Sequence, residues 1–156
     1  MSECKPTTIV PLELGKEKLV SLIDLIEKGG EVERRHIEAL LPNALMTVIV
    51  PCNDTIISTA TIKVSRDSYR KRVFGEAGVS EEYSKYSFEL GYVVTDESYR
   101  RKGHCKAVMF HIMNEVKGRC LFATTRKPEM MKLLNEFGFR QVGKEYKDGL
   151  FLFLYN

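Results

Sequence analysis

The chain has 156 residues, 44% of them hydrophobic, and 24 basic residues stand against 21 acidic ones for a formal net charge of +3. That length buries one sizeable core and is too short for two ordinary domains, so a single domain over 1–156 is expected. The balanced charge gives no ground for a nucleic-acid partner, and no stretch has the length and apolarity of a membrane span.

The opening Met1-Ser2-Glu3-Cys4-Lys5-Pro6 lacks the basic and apolar regions of a secretory leader, so none is expected. Cys4, Cys52, Cys105 and Cys120 are irregularly spaced and have no histidines at ligand spacing. This argues against a zinc motif or a disulfide framework and predicts reduced thiols in a cytoplasmic protein.

Thr8-Ile9-Val10, β-branched and stopped by Pro11, predicts an edge strand. From Lys16 the period changes: Leu19, Leu22, Ile23 and Ile26 form one apolar helix face that ends at Gly29-Gly30. A shorter helix is expected from Glu31 to Leu41. Leu45 to Val50, bounded by Pro51, and Thr55 to Val64 predict a hairpin turning at Asn53-Asp54.

Between Ser65 and Lys85 the chain is polar and basic, with Arg66 and Arg70-Lys71-Arg72, and predicts a long excursion with about one helical turn. Its basic residues can serve ligand phosphates or stand in solvent. Tyr86 to Thr95 returns to strand, with Phe88, Leu90, Tyr92 and Val94 on one face and Glu89, Gly91 and Val93 on the other.

After Tyr99-Arg100-Arg101-Lys102-Gly103, the stripe Cys105, Met109, Ile112 and Val116 predicts an amphipathic helix to about Lys117. Leu121 to Thr124 predicts a short strand. Pro128 opens a helix with Met130, Leu133, Leu134 and Phe137 on its apolar face, stopped by Gly138. Two strands, Phe139 to Tyr146 and Leu150 to Tyr155, complete the order, joined at Lys147-Asp148-Gly149.

The strand, loop and helix around Gly103 carry the chemistry. A helix start leaves backbone N–H groups without partners, and a loop that curls them inward makes a site for anionic oxygens such as a pyrophosphate. Gly103 lets the backbone come close to a ligand, while Arg100, Arg101 and Lys102 add positive charge.

With Glu89-Leu90-Gly91-Tyr92-Val93-Val94 before the loop, and strand, helix and Gly138-Phe139 after it, this order resembles the GNAT acetyltransferase superfamily. That family's phosphate signature is Arg or Gln, two residues, Gly, one residue, then Gly or Ala. Arg100-Arg101-Lys102-Gly103-His104-Cys105 matches all but the last position, where Cys105 is also small.

The resemblance implies an α/β (α+β) fold: a mixed sheet of six or seven strands flanked by about four helices and splayed at its central parallel strands. It further implies acetyl-CoA as cosubstrate, without a metal. Amides from Arg101, Lys102, Gly103, His104, Cys105 and Lys106 would hold the pyrophosphate beside Arg100, and Val93, Val94 and Thr95 would pair with the pantetheine arm. Val94 or Val93 would also aim an N–H at the thioester oxygen.

Glu89 is the candidate base, since an attacking amine must lose a proton. It can equally be an exposed or ion-paired sheet carboxylate. The tyrosine that many family members place four residues before Gly-Phe is Leu134 here, so the acid could be Tyr92, Tyr146 or solvent. His104 is expected to face solvent or the nucleotide, Cys105 to pack, and Thr124 and Thr125 to contact the coenzyme arm or cap the next helix. His36 and His111 are expected to be structural.

The function implied is direct acetyl transfer to a primary amine of a small molecule or peptide. The excursion Ser65 to Lys85, with Tyr69, Phe74, Tyr83 and Tyr86 among charges, would wall the acceptor pocket together with the two N-terminal helices. Two other functions are open: a coenzyme A-binding module without turnover, and an acetyltransferase acting on an RNA-linked amine through Arg70-Lys71-Arg72 and Arg126-Lys127. No membrane partner is expected, and a homodimer is left open.

Overall fold

The computed structural model describes residues 4–156. Met1-Ser2-Glu3, part of the stretch read for a leader, lie outside them. The described residues form one mixed sheet of seven strands flanked by helices, in the order β1-β2-β3-β4-β5-β7-β6. No helix among them is long and apolar enough to cross a membrane.

The chain divides into two compact units. One comprises the described residues up to Lys63 together with Gly91–Glu115, and the other comprises Val64–Leu90 and Val116–Asn156.

In the first unit, β1 (Thr7–Ile9) pairs antiparallel with β2 (Met46–Cys52), which pairs antiparallel with β3 (Thr55–Val64). The hairpin turns at Asn53 and Asp54, both in left-handed conformation (φ 48° and 66°), as a tight two-residue turn demands. Pro51 does not end β2. The register shifts between Val50 and Pro51, and that irregularity accommodates the missing N–H.

Helices α1 (Lys16–Lys28) and α2 (Arg34–Leu40) bury Leu22, Ile23, Leu25, Ile26, Ile37 and neighbouring Leu41 against Ile49, Ile56 and Tyr92. Each such fully buried side chain contributes about 1.5 to 3 kcal/mol. The spacing predicted that face, and Gly29 at its end serves close packing: a Cβ there would lie 2.8 Å from Val94 Cγ2.

Cys4 and Cys52 are joined in a disulfide, contrary to the expectation of four reduced thiols. The register explains it. Thr7 faces Ile49 and Ile9 faces Thr47, so the same pairing carried three residues back sets Cys4 opposite Cys52, with Cα atoms 5.0 Å apart. Cys105 and Cys120 are free thiols.

In the second unit the polar excursion contains a ten-residue helix, α3 (Asp67–Glu76), followed by a 3-10 segment at Ser80–Lys85. The sequence predicted about one turn because α3 has no periodic apolar stripe. Its burial comes from the adjacent pair Val73 and Phe74, docked against Tyr86 and Phe122.

Strands β5 (Leu121–Thr125), β6 (Arg140–Tyr146) and β7 (Leu150–Tyr155), with helix α5 (Pro128–Glu136), complete this unit. β6 is irregular between Val142 and Tyr146, where Gly143 is left-handed at φ 68° and Lys144 N–H bonds the Ala77 carbonyl at 2.9 Å. A methyl group on Gly143 would overlap that carbonyl oxygen.

Strand β4 (Phe88–Thr95) begins in the second unit and ends in the first. Its parallel ladder with β5 pairs Phe88 with Leu121 and Glu89 with Phe122. Within the strand Tyr92 is left-handed, φ 51°, a conformation that costs a bulky residue on the order of 1 to 3 kcal/mol. Nothing in the local sequence announces it.

Candidate functional site

In the first unit the end of β4 is fixed by Asp96 N–H donating to the Ile57 carbonyl at 2.7 Å and by a hydrogen bond of 2.8 Å between the Ser58 and Thr95 hydroxyls. Asp96 then caps a short turn at Glu97–Tyr99, its carboxylate accepting from Ser98 N–H at 2.9 Å. Arg101 and Gly103 are both left-handed, φ 64° and 85°, and α4 (His104–Glu115) starts immediately after.

The bond from Ala107 N–H to the Gly103 carbonyl, 3.0 Å, belongs to the first turn of α4. The amides of Gly103, His104 and Cys105 therefore lie ahead of the helix's own ladder. With a twelve-residue helix behind them, they face anions with the positive end of an aligned dipole.

A cavity of about 220 Å³ opens at this entrance, lined by Thr95, Tyr99, Arg100, Arg101, Gly103, His104, Cys105 and Lys106. Of the residues predicted to hold a cofactor, Thr95, Arg100, Arg101, Gly103, His104, Cys105 and Lys106 thus share one concave site. Lys102 instead holds its ammonium over the Tyr99 ring at 5.6 Å, and the His104 ring meets the same tyrosine edge-on at 6.2 Å. Arg100 donates from Nε to the Thr95 carbonyl at 3.3 Å, which ties the loop to the strand.

Val94 packs into the core formed by α1 and α2, and Val93 is half-buried. Burial pushes the Cys105 thiol up, opposed by a hydrogen bond with Thr95, which suits a packed thiol and not a nucleophile.

In the second unit Glu89 is buried, 3% exposed, which removes the solvated-carboxylate reading. Its Oε1 accepts the Ser65 hydroxyl at 3.1 Å and its Oε2 accepts the Tyr69 phenol at 3.2 Å. The Thr124 hydroxyl faces the Tyr69 and Tyr146 phenols. Tyr146 Oη is buried and, among the described residues, has no well-aligned hydrogen bond.

Burial, then the charge of Glu89, pushes the Tyr69 phenol far up. Burial likewise pushes Tyr146 up to about 12. Above a pH of about 10 the unfolded chain loses these protons while the folded chain keeps them, so stability falls as pH rises. Melting temperatures should therefore decline through this alkaline range, and Tyr146→Phe should flatten the decline. An unchanged slope in that variant contradicts the assignment.

The aromatic residues of the polar excursion differ in place from what the sequence implied. Phe74 and Tyr86 are core residues, 0% and 1% exposed, and do not wall a pocket. The Arg70 guanidinium donates to the Tyr83 and Tyr86 carbonyls at 2.9 and 3.3 Å, Lys71 pairs with Asp67, and Arg72 lies over the Tyr69 ring. That basic cluster is thus engaged within its own unit. Leu134 is fully buried. Among the described residues no group of three or more His, Cys, Asp or Glu side chains could hold a metal.

No protein-family model and no curated protein matches the sequence. Solved structures do match. An acyl-CoA N-acyltransferase from Pseudomonas aeruginosa superposes with a TM-score of 0.72 at 12% identity, covering 97% of this chain and 99% of its own. A GNAT-family acetyltransferase from Streptococcus agalactiae gives 0.67 at 12% identity over 96% and 94% of the two chains. An aminoglycoside 6'-acetyltransferase type Ii gives 0.66 at 12% identity over 97% and 96%. At such identities it is architecture that is shared, and this chain has the fold of the GNAT acetyltransferases.

Proposed function

We propose that the protein is an acetyl-CoA-dependent N-acetyltransferase, with residues 1–156 acting as one catalytic domain that moves an acetyl group directly to a primary amine. The observation that carries this reading is the entrance of α4, where left-handed Arg101 and Gly103 precede a run of amides over a cavity walled by Arg100 and Arg101. These residues fit a diphosphate, because its oxygens accept hydrogen bonds from the amides and its charge opposes the guanidinium groups.

Coenzyme A supplies an acetyl group activated as a thioester. Gly103, His104, Cys105 and Lys106 would hold its diphosphate, and the backbone of Val93, Val94 and Thr95 its pantetheine arm. The N–H of Val94 or Val93 would stabilise charge developing on the thioester oxygen. Glu89 takes the proton that the amine loses as the new C–N bond forms; the thioester C–S bond would break as it does so, and the departing thiolate would take a proton from Tyr92, Tyr146 or solvent. Holding both reactants in attack geometry supplies much of the acceleration.

Likeness to an aminoglycoside acetyltransferase favours a small polar amine as acceptor. The test is incubation with acetyl-CoA and a panel of polyamines, aminoglycosides, amino acids and peptides, reading free thiol. Release that depends on one class of amine is expected. Leu134 at the position of the usual acid favours the second reading, a binding module, and coenzyme binding without any amine-dependent release would establish that instead.

A further inference from the structure

We infer that Ser65 and Tyr69 are positioning residues that hold the Glu89 carboxylate as the base of the proposed transfer. The inference rests on that reading of Glu89. A carboxylate this deeply buried needs hydrogen-bond donors to offset its lost hydration. Glu89 receives one on each oxygen, Ser65 on Oε1 at 3.1 Å and Tyr69 on Oε2 at 3.2 Å.

A donor on each oxygen fixes the rotation of the carboxylate about its last bond and so aims it. The two donors stand four residues apart, Tyr69 in the first turn of α3 and Ser65 in the segment just before its cap, so one short stretch of chain carries both.

Tyr69 is itself held in place. Its ring lies 6.4 Å from that of Phe122, the Arg72 guanidinium sits over it at 5.4 Å, and the Thr124 hydroxyl faces its phenol. Such support limits the freedom of the donor and hence of the group it orients. A tyrosine serving only to fill the core would gain nothing from aiming its hydroxyl at the one carboxylate that β4 carries into this unit.

Tyr69→Phe keeps the ring and removes the donor. The expected result is a kcat lowered by about tenfold, the scale of a hydrogen bond to a charged group, with KM for acetyl-CoA unchanged. The same substitution in a Glu89→Gln background should cost nothing further, because Tyr69 acts through that carboxylate. Ser65→Ala should behave alike, and Ser65→Thr should restore the rate.

A Tyr69→Phe enzyme with normal kcat, or losses that multiply in the double variant, overturns the inference while leaving acetyl transfer intact. Wild-type protein that binds acetyl-CoA but releases no thiol with any amine overturns the transfer itself, and this inference with it.

Discussion

Replacing Gly103 with aspartate is expected to abolish coenzyme A binding while leaving the protein folded. At φ 85° any side chain is strained, a cost of about 1 to 2 kcal/mol that a domain of this size tolerates. Among the described residues, and apart from its two chain neighbours, no atom lies within 4 Å of where a Cβ would stand, so the new side chain meets open space. Its effect on the ligand is electrostatic. A carboxylate about 4 Å from a phosphate in a partly screened site opposes it by roughly 4 kcal/mol, or about a thousandfold in affinity.

Gly118 provides a matched control, since it is exposed, has the same φ of 85° and has the same open surroundings beyond the far end of α4. Gly118→Asp should show a similar melting temperature and normal binding by calorimetry. Equal binding by the two aspartate variants would remove the diphosphate from this entrance.

Glu89→Gln should lower kcat by about 10²- to 10⁴-fold, the usual contribution of a positioned base, with coenzyme affinity unchanged. The amide is nearly isosteric and can still accept one hydroxyl, so the two donors and the core around them are largely kept. Stopped-time thiol release across a range of pH measures the effect. A rate equal to wild type throughout would show that Glu89 is a buried structural carboxylate and that the amine loses its proton to another group.

The contrast between these two positions explains what the sequence made legible. The cavity at the helix entrance is local: all its lining residues fall in the single segment from Thr95 to Lys106, where spacing and glycine placement can carry the information. The same holds for α1, whose stripe of Leu22, Ile23 and Ile26 became its buried face, and for the Asn53-Asp54 hairpin.

Glu89 was legible as a residue but not as a site. Its donors lie 24 and 20 residues upstream, in a segment whose helix has no apolar period to reveal it. Long-range register hid the Cys4–Cys52 bridge in the same way, because the pairing appears only once β1 is laid against β2. The left-handed backbone of Tyr92 has no sequence signal at all, since a tyrosine does not favour that conformation and must be held there by its surroundings.

The most direct measurement is a titration of isotopically labelled protein with coenzyme A, following backbone amide resonances by NMR. Diphosphate bound at the entrance of α4 should move the amide signals of Gly103, His104 and Cys105 first and furthest, with Thr95 close behind. If those signals stay fixed at saturating coenzyme while others move, or if none move at all, the helix entrance does not hold the diphosphate and the proposed function falls.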